Sequence, residues 1–293
     1  MIKVGMLLAY DYAYVKNSLP LIYPYADQIS FALDINRRSW SGNAFAFDEG
    51  ILDWIKTYDS DQKIRIYEDD FCIPGNTAMQ NDTRQRQLLA DFMGKGGWHV
   101  QIDTDEYFLG FEKFCSYLRS KHSYLKEPEK NQICIAVNWI NLFKQTPNGF
   151  LVISGSNEFA RIATNYPNYI AARNLKQQTI FSPFSMIHQS WARAKEEVKF
   201  KVENWSHNAD VKDKNGYFQF WLDLDEDNYV NAKNFAGGSN PAAWKSLAFF
   251  EAKSIEELIG FFKKKGVVPP RWFLFKKNLI QRIYAIVGKF RTP

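Results

Sequence analysis

Trp98-His99-Val100-Gln101-Ile102 is a short, largely apolar run that ends abruptly in Asp103, Asp105 and Glu106. Such a run reads as a buried strand. Buried charge is costly unless it is paired or bound to a metal. In an extended chain Asp103 and Asp105 point to the same side. Two carboxylates on one side of a strand end suit Mg²⁺ or Mn²⁺, above all when substrate phosphates fill the remaining positions. The same residues would also make a solvated acidic turn after a core strand, so the flanking segments have to decide.

Those segments alternate. Residues 2–9 read as a strand, about 14–26 as a helix, Ile29–Leu33 as a strand and Ala44–Tyr58 as a helix. Lys63–Tyr67 reads as a third strand and Thr83–Met93 as a helix, broken by Gly94, Gly96 and Gly97. This alternation implies a mostly parallel sheet with helices on both faces, in which ligands bind at the carboxyl ends of the strands. Asp11, Asp34, Asp70 and Asp103 all fall at or just past those ends. One edge of the sheet would then gather several carboxylates and invite a metal or a hydroxyl-rich ligand, although strand-to-helix loops are commonly polar in any case. The second half is less regular. Ile133–Leu142 and Phe150–Ser154 look like strands. Ser190–Trp205 looks like a helix capped by Ser190, with Arg193/Glu197 and Glu197/Lys201 as i,i+4 pairs.

A chain of 293 residues, 46% hydrophobic and 24% charged, is expected to build a globular core. Three scattered cysteines, Cys72, Cys115 and Cys134, have neither disulfide-framework nor zinc spacing and suit a reducing compartment. The apolar start stops at Asp11 and reads as a strand, not a signal peptide. No stretch of about 18 uncharged apolar residues suggests a transmembrane helix. The net charge of +5 is uneven, because no acidic residue follows Glu257 whereas nine basic ones do. The 37 basic residues less those nine leave 28 against 32 acidic residues in 1–257, about −4.

The order of these motifs resembles the GT-A glycosyltransferases, and among them the broad family 2-like group, over roughly residues 1–210. Ala9-Tyr10-Asp11 stands where such enzymes commonly place the nucleotide base. Asp34 through Gly42 resembles the following carboxylate-and-loop segment, without the family's usual Ser-X-Asp-Gly. Arg86-Gln87 and Gly97-Trp98 look similar to the family's Arg-Asn and Gly-aromatic positions, with Gln in place of Asn and Arg84 as the competing arginine. Asp103-Thr104-Asp105 matches the Asp-X-Asp signature. The segment from Ser185 to His207, with His188, Arg193, Glu196, Glu197, Lys201 and Trp205-Ser206-His207, looks like a pattern in some bacterial members.

The resemblance implies a GT-A type (Rossmann-like) α/β fold with a mostly parallel sheet flanked by helices. The charge asymmetry and the spacing of apolar residues set a domain at 1–257 apart from a basic amphipathic segment at 258–293. The resemblance also implies transfer, inverting in stereochemistry, from a nucleotide-diphosphate donor such as a UDP-sugar to a glycan or lipid-linked glycan. Ala9, Tyr10, Asp11, Asp34, Arg84, Arg86, Asp103 and Thr104 would contact the nucleotide and its phosphates. Mn²⁺ or Mg²⁺ would sit on Asp103 and Asp105, with His188 completing the site; a loop histidine bonded to backbone is the equal alternative for His188. Glu158, in a loop-like stretch after a strand, is the candidate base, with Glu196 and Glu197 as competitors. Glu106 points away and would support the site or touch a sugar hydroxyl. The likeness suggests polysaccharide biosynthesis at a cytoplasmic location. Trp272, Phe275, Leu279, Ile283, Ile286 and Phe290 recur at helical spacing. They would form a peripheral contact with an anionic membrane or pack on the enzyme's own core. No nucleic-acid recognition module is evident. Two other classes stand beside this one: an Asp-X-Asp phosphatase with Asp103 as nucleophile, and a non-catalytic glycan- or membrane-binding protein.

Overall fold

The computed structural model describes residues 1–155, 157–234 and 245–287. An unbroken buried run forms β1 (Ile2–Leu8). It is followed by α1 (Val15–Ile22), β2 (Gln28–Asp34), α2 (Gly50–Tyr58), β3 (Ile64–Asp69), α3 (Ala78–Met93) and β4 (Trp98–Gln101). β1 runs parallel to β2 and β4, and β2 parallel to β3, giving the spatial order β3-β2-β1-β4. β1 and β4 are buried along their whole length, as expected of strands covered on both faces. The chain leaves β1 toward β2 on one side and returns to β4 on the other. Strand order therefore reverses between β1 and β4, the place where a crevice opens beyond the carboxyl ends. Asp11 follows β1 there, and Asp103 follows β4.

Two local features hold α3 and β4 in register. Thr77 caps α3 by accepting from the Gln80 amide at 3.2 Å, while Gln80 Oε1 accepts from the Thr77 amide at 2.8 Å. This reciprocal cap contributes about 1 kcal/mol. Gly97 enters β4 with φ +77°, and a Cβ there would lie 2.7 Å from the Met1 carbonyl, so glycine is required for β4 to lie beside β1.

Beyond β4 come β5 (Glu106–Leu109), α4 (Phe111–Ser120), β6 (Ile133–Gln145), β7 (Gly149–Ser154) and β8 (Glu158–Thr164). A small antiparallel pair, β9 (Tyr169–Ala171) and β10 (Asn174–Leu175), precedes β11 (Gln178–His188). The chain continues with α5 (Lys195–Asn204), α6 (Lys214–Asp223), β12 (Ser246–Glu251), α7 (Ile255–Lys265) and α8 (Arg271–Ile286). β8 pairs antiparallel with β4 and β6, and β7 and β12 extend the sheet past β6. β11 lies parallel to β6 and antiparallel to β5, which sets His188 opposite both Asn141 and Glu106. The architecture is mixed α/β, parallel through β3-β2-β1-β4 and mostly antiparallel beyond β4.

Several boundaries differ from the sequence reading. Glu158 opens a strand instead of lying in a loop, because β8 pairs through it with Trp139 of β6. α5 begins at Lys195, not Ser190. Residues 189–193 run as buried irregular chain pinned by Gln189 N–H to the Asp105 carbonyl (2.9 Å) and Trp191 N–H to the Leu142 carbonyl (3.1 Å). α2 begins at Gly50, since residue 44 is held in a β-bridge with Arg38. Residue 258, the expected start of the basic segment, lies within α7. There Leu258, Ile259 and Phe262 share a buried cluster with Leu142, Phe150 and Val152. Among the described residues no helix is long and apolar enough to cross a membrane.

Candidate active site

A cavity of about 470 Å³ opens beyond β1 and β4, within the usual range for small-molecule sites. Its walls include Ala9, Tyr10, Asp11, Arg86, Asp103 and Asp105 from the parallel half. Trp139, Asn141, Glu158, Arg173, His188, Trp191 and Lys201 line it from the other half. Of the residues expected from sequence, this brings together Ala9, Tyr10, Asp11, Arg86, Asp103, Asp105, Glu158 and His188. Asp34, Arg84 and Thr104 are not among the described residues lining it.

Their absence has physical causes. Asp34 is buried and organises its own loop. Its two oxygens accept from the amides of Asn36, Arg38 and Phe71, each at 3.0 Å. Asp70 pairs with Arg38. β2 and β3 lie on the far side of β1 from the strand reversal, so their carboxylates hold loops while those after β1 and β4 enter the cavity. Arg84 points to the Asp70 carbonyl (2.8 Å), two residues and hence about 200° around α3 from Arg86. Thr104 is fully buried, its hydroxyl donating to the Asp11 carbonyl at 3.1 Å, and so ties the two strand ends together.

Both aspartates of the motif are held by cations. Asp103 accepts from Arg86 Nη1 and Nη2 at 2.9 and 3.1 Å, and Arg173 stands 3.6 Å away. Asp105 pairs with Arg193, with Lys201 Nζ at 3.5 Å and His188 Nε2 at 3.6 Å. Burial alone would raise the pKa of both carboxyls. Arg86 and Arg173 at Asp103, and Arg193 and Lys201 at Asp105, outweigh it and keep both below the usual range. Arg86 is itself clamped by Asp82 at 2.6 Å, and Arg193 reaches Asp11 at 3.2 Å. Burial pushes the carboxyls of Asp11 and Asp82 upward against those arginines.

Glu106 is completely buried. It accepts from Arg173 at 2.8 and 2.7 Å, from Trp139 Nε1 at 2.9 Å and from the Asp103 amide at 2.8 Å. It therefore fixes the backbone that presents Asp103 and does not face the cavity. Five carboxylates (Asp11, Asp82, Asp103, Asp105, Glu106) thus surround four permanent or near-permanent cations (Arg86, Arg173, Arg193, Lys201).

A hydrogen-bonded line crosses the opposite wall. Asn141 Nδ2 donates to Glu158 Oε2 at 2.6 Å, which turns Asn141 Oδ1 toward His188 Nδ1 at 2.9 Å. Burial lowers the His188 pKa to about 4, against the pull of Asp105, so the ring is neutral. By this network the proton sits on Nδ1, and the Nε2 lone pair faces Asp105. The ring also stacks on Trp139, with centroids 4.7 Å apart. Glu158 is exposed as a residue, yet desolvation of its carboxyl at the cavity wall raises its pKa, partly offset by Asn141. Lys201 is lowered to about 8 by burial first and by neighbouring Arg193 second.

Arg173, Asn141 and Trp139 are not legible in the sequence as site residues, and Arg193 and Lys201, though part of the family-like pattern, read there as partners of Glu197. The expected surface pairs Arg193/Glu197 and Glu197/Lys201 do not form. Glu197 instead accepts from the Tyr14 hydroxyl (3.1 Å) and the Ala194 amide (3.0 Å), while both cations turn to buried Asp105. An exposed helical pair is worth a few tenths of a kcal/mol, and leaving a buried carboxylate unpaired costs several. Arg173 carries no local signal, since it lies between β9 and β10 beside Ala172, a residue with positive φ.

Among the described residues no three His, Cys, Asp or Glu side chains converge as a metal-binding group. Asp103 has both oxygens on Arg86, and Asp105 Oδ2, which faces His188 Nε2 at 3.6 Å, already pairs with Arg193 and stands 3.5 Å from Lys201 Nζ.

No protein-family model matches the chain, and no curated protein matches it. Among solved structures it is similar to the mannose-1-phosphate geranyltransferase from Thermus thermophilus, at 12% identity, over 55% of this chain and 49% of that one, with a TM-score of 0.26. The chain spans about half the length of that structure, and a likeness at this score carries no argument for fold or activity.

Proposed function

We propose that the chain is a glycosyltransferase that moves a sugar from a nucleotide-diphosphate donor to a hydroxyl of a glycan or lipid-linked glycan. The observation that carries this reading is the charge balance around Asp103 and Asp105. The pair stands in the crevice where strand order reverses, and the three guanidiniums nearest it, Arg86, Arg173 and Arg193, are each matched by a carboxylate of the protein, whereas Arg161 on the far wall bonds Thr179 and Asn174. A diphosphate entering such a site needs an added cation. Asp105 and His188 would hold a divalent ion in place of the Lys201 contact at Asp105 Oδ2, with phosphate or water in its other positions, as Mg²⁺ and Mn²⁺ do with one or two protein ligands. The His188 tautomer set by Asn141 suits that role. Such an ion, when bound, would neutralise charge developing on the departing diphosphate.

The chain's own residues supply the rest. Arg86 and Arg173 orient Asp103 at the phosphate end of the cavity. Trp139 and Trp191 give the cavity an apolar aromatic wall beside which a sugar ring would lie. Glu158 takes the proton of the acceptor hydroxyl as the new C–O bond forms at the sugar's anomeric carbon and the bond to the diphosphate oxygen breaks. A raised pKa brings this carboxylate nearer the working range of a general base. Asp103 as a phosphatase nucleophile is disfavoured, because Arg86 bonds both of its oxygens.

A metal-free variant of the reading rests on Lys201 and Arg193, which already stand at Asp105 and would themselves face the diphosphate. Release of nucleoside diphosphate from UDP- and GDP-sugars, with and without Mn²⁺, tests both. Release that needs Mn²⁺ and falls at least about 10²-fold in Asp103→Asn supports the proposal. Undiminished release by that variant would sink the role of the pair.

A further inference from the structure

We propose that α8 docks the protein on an anionic lipid surface through the face it turns away from the sheet. This proposal is independent of the transferase reading. One side of α8 is committed to the fold. Asn278 bonds the Phe181 amide and carbonyl at 2.8 and 2.9 Å, and Gln281 accepts from the Thr179 amide at 3.1 Å. Leu274 is buried, and Phe273 stacks on Phe159 with centroids 5.9 Å apart. These contacts fix the helix on β11 and decide which side faces out.

The outward side is apolar. Trp272 is 68% exposed, Phe275 71% and Ile286 84%, with Leu279 and Ile283 exposed between them. At ~100° per residue these five fall within an arc of about 80°. Scattered exposed apolar residues are ordinary, but a continuous stripe led by Trp and Phe marks an interaction surface. The expectation that the stripe packs on the enzyme's own core is therefore not met for these five residues. Phe290, also expected in it, lies outside the described residues.

Charge decides what the stripe meets. Arg271 and Arg282 run along one edge of the arc and Lys276 along the other, all exposed. Lys263, Lys264 and Lys265 end the preceding helix, and no acidic residue follows Glu257. A second copy of the same face would bring two cationic rims together. A bilayer with anionic headgroups accepts the stripe at the acyl boundary and the rim at the phosphates. At 16 residues α8 lies on such a surface and does not cross it.

The test is co-sedimentation of the full chain with phosphatidylcholine vesicles, with and without phosphatidylglycerol. The expected result is binding at least roughly tenfold stronger when phosphatidylglycerol is present. Trp272→Ser/Phe275→Ser/Ile286→Ser should lose binding at an unchanged melting temperature, with Ile286→Ser alone weakening it measurably should the triple variant fold poorly. Arg271→Gln/Lys276→Gln/Arg282→Gln should lose the preference for anionic vesicles. Equal binding by the apolar variants and the wild type would overturn the proposal. So would a wild type that ignores both vesicles and instead forms dimers that the triple variant abolishes.

Discussion

The two halves of the sheet contribute opposite things to one site. The parallel half, β3-β2-β1-β4, delivers Asp11, Asp82, Asp103 and Asp105, together with Arg86. The half built from β5, β6, β8 to β11 and α5 with the chain leading into it delivers Arg173, Arg193, Lys201, His188 and Glu158. The first half places carboxylates by the topology of its strand ends. Arg86 of the same half holds Asp103 and Asp82, while the second half supplies Arg193 and Lys201, the counter-charges of Asp105 and Asp11. The acidic motif is therefore split: Asp103 is held within the parallel half by Arg86, whereas Asp105 is paired only when both halves are folded together.

Substitutions in each half separate these roles. Glu158→Gln, on the second half, should lower transfer by about 10²- to 10⁴-fold with donor affinity unchanged, read by steady-state kinetics beside nucleotide titration. Its pH profile sharpens the point. A base with a raised pKa is lost to protonation as pH falls through that raised value. The acid limb of the wild-type profile should therefore lie above the ordinary carboxylate range and vanish in the variant.

Arg193→Met removes the bond between the halves at Asp105 and leaves two buried carboxylates short of a partner. Chemical denaturation should show a loss of about 3–5 kcal/mol. A loss under about 1 kcal/mol would mean that this pairing does not hold the halves together. Asn141→Leu, which keeps the strand but frees the His188 ring, should weaken Mn²⁺-dependent nucleotide binding by about 10- to 100-fold.

The smallest effect lies wholly inside the parallel half. Burial holds His99 neutral, with a pKa lowered to about 4 from the usual 6.5. The unfolded chain takes up that proton first, so this component of stability is present above 6.5 and is lost as pH falls toward 4. In His99→Leu the acid-induced loss should be shallower across that window, as measured by denaturant midpoints at each pH.

The same division describes what the sequence reveals. β1, β2, β3 and β4, and the position of Asp103 and Asp105 at a strand end, follow from local apolar runs and β-α alternation. Arg86 is legible over Arg84 only by resemblance, and the structure separates them because they point about 160° apart on α3. Glu158 and His188 stand out in the sequence, but a local reading puts them in loops. Their strands, β8 and β11, are set by long-range pairing with β6 that no local pattern encodes. Lys201 and Arg193 read as surface helix partners because the competing attraction, buried Asp105, is about ninety residues away in sequence.

Calorimetric titration of the wild type and Asp105→Asn with UDP and GDP, each with and without Mn²⁺, tests the central claim most directly. The account predicts that one nucleotide binds the wild type only when Mn²⁺ is present and that Asp105→Asn abolishes this binding. Equally tight binding without the metal would transfer the phosphate-neutralising role to Lys201 and Arg193. No binding of either nucleotide under any condition would contradict the nucleotide-sugar reading itself.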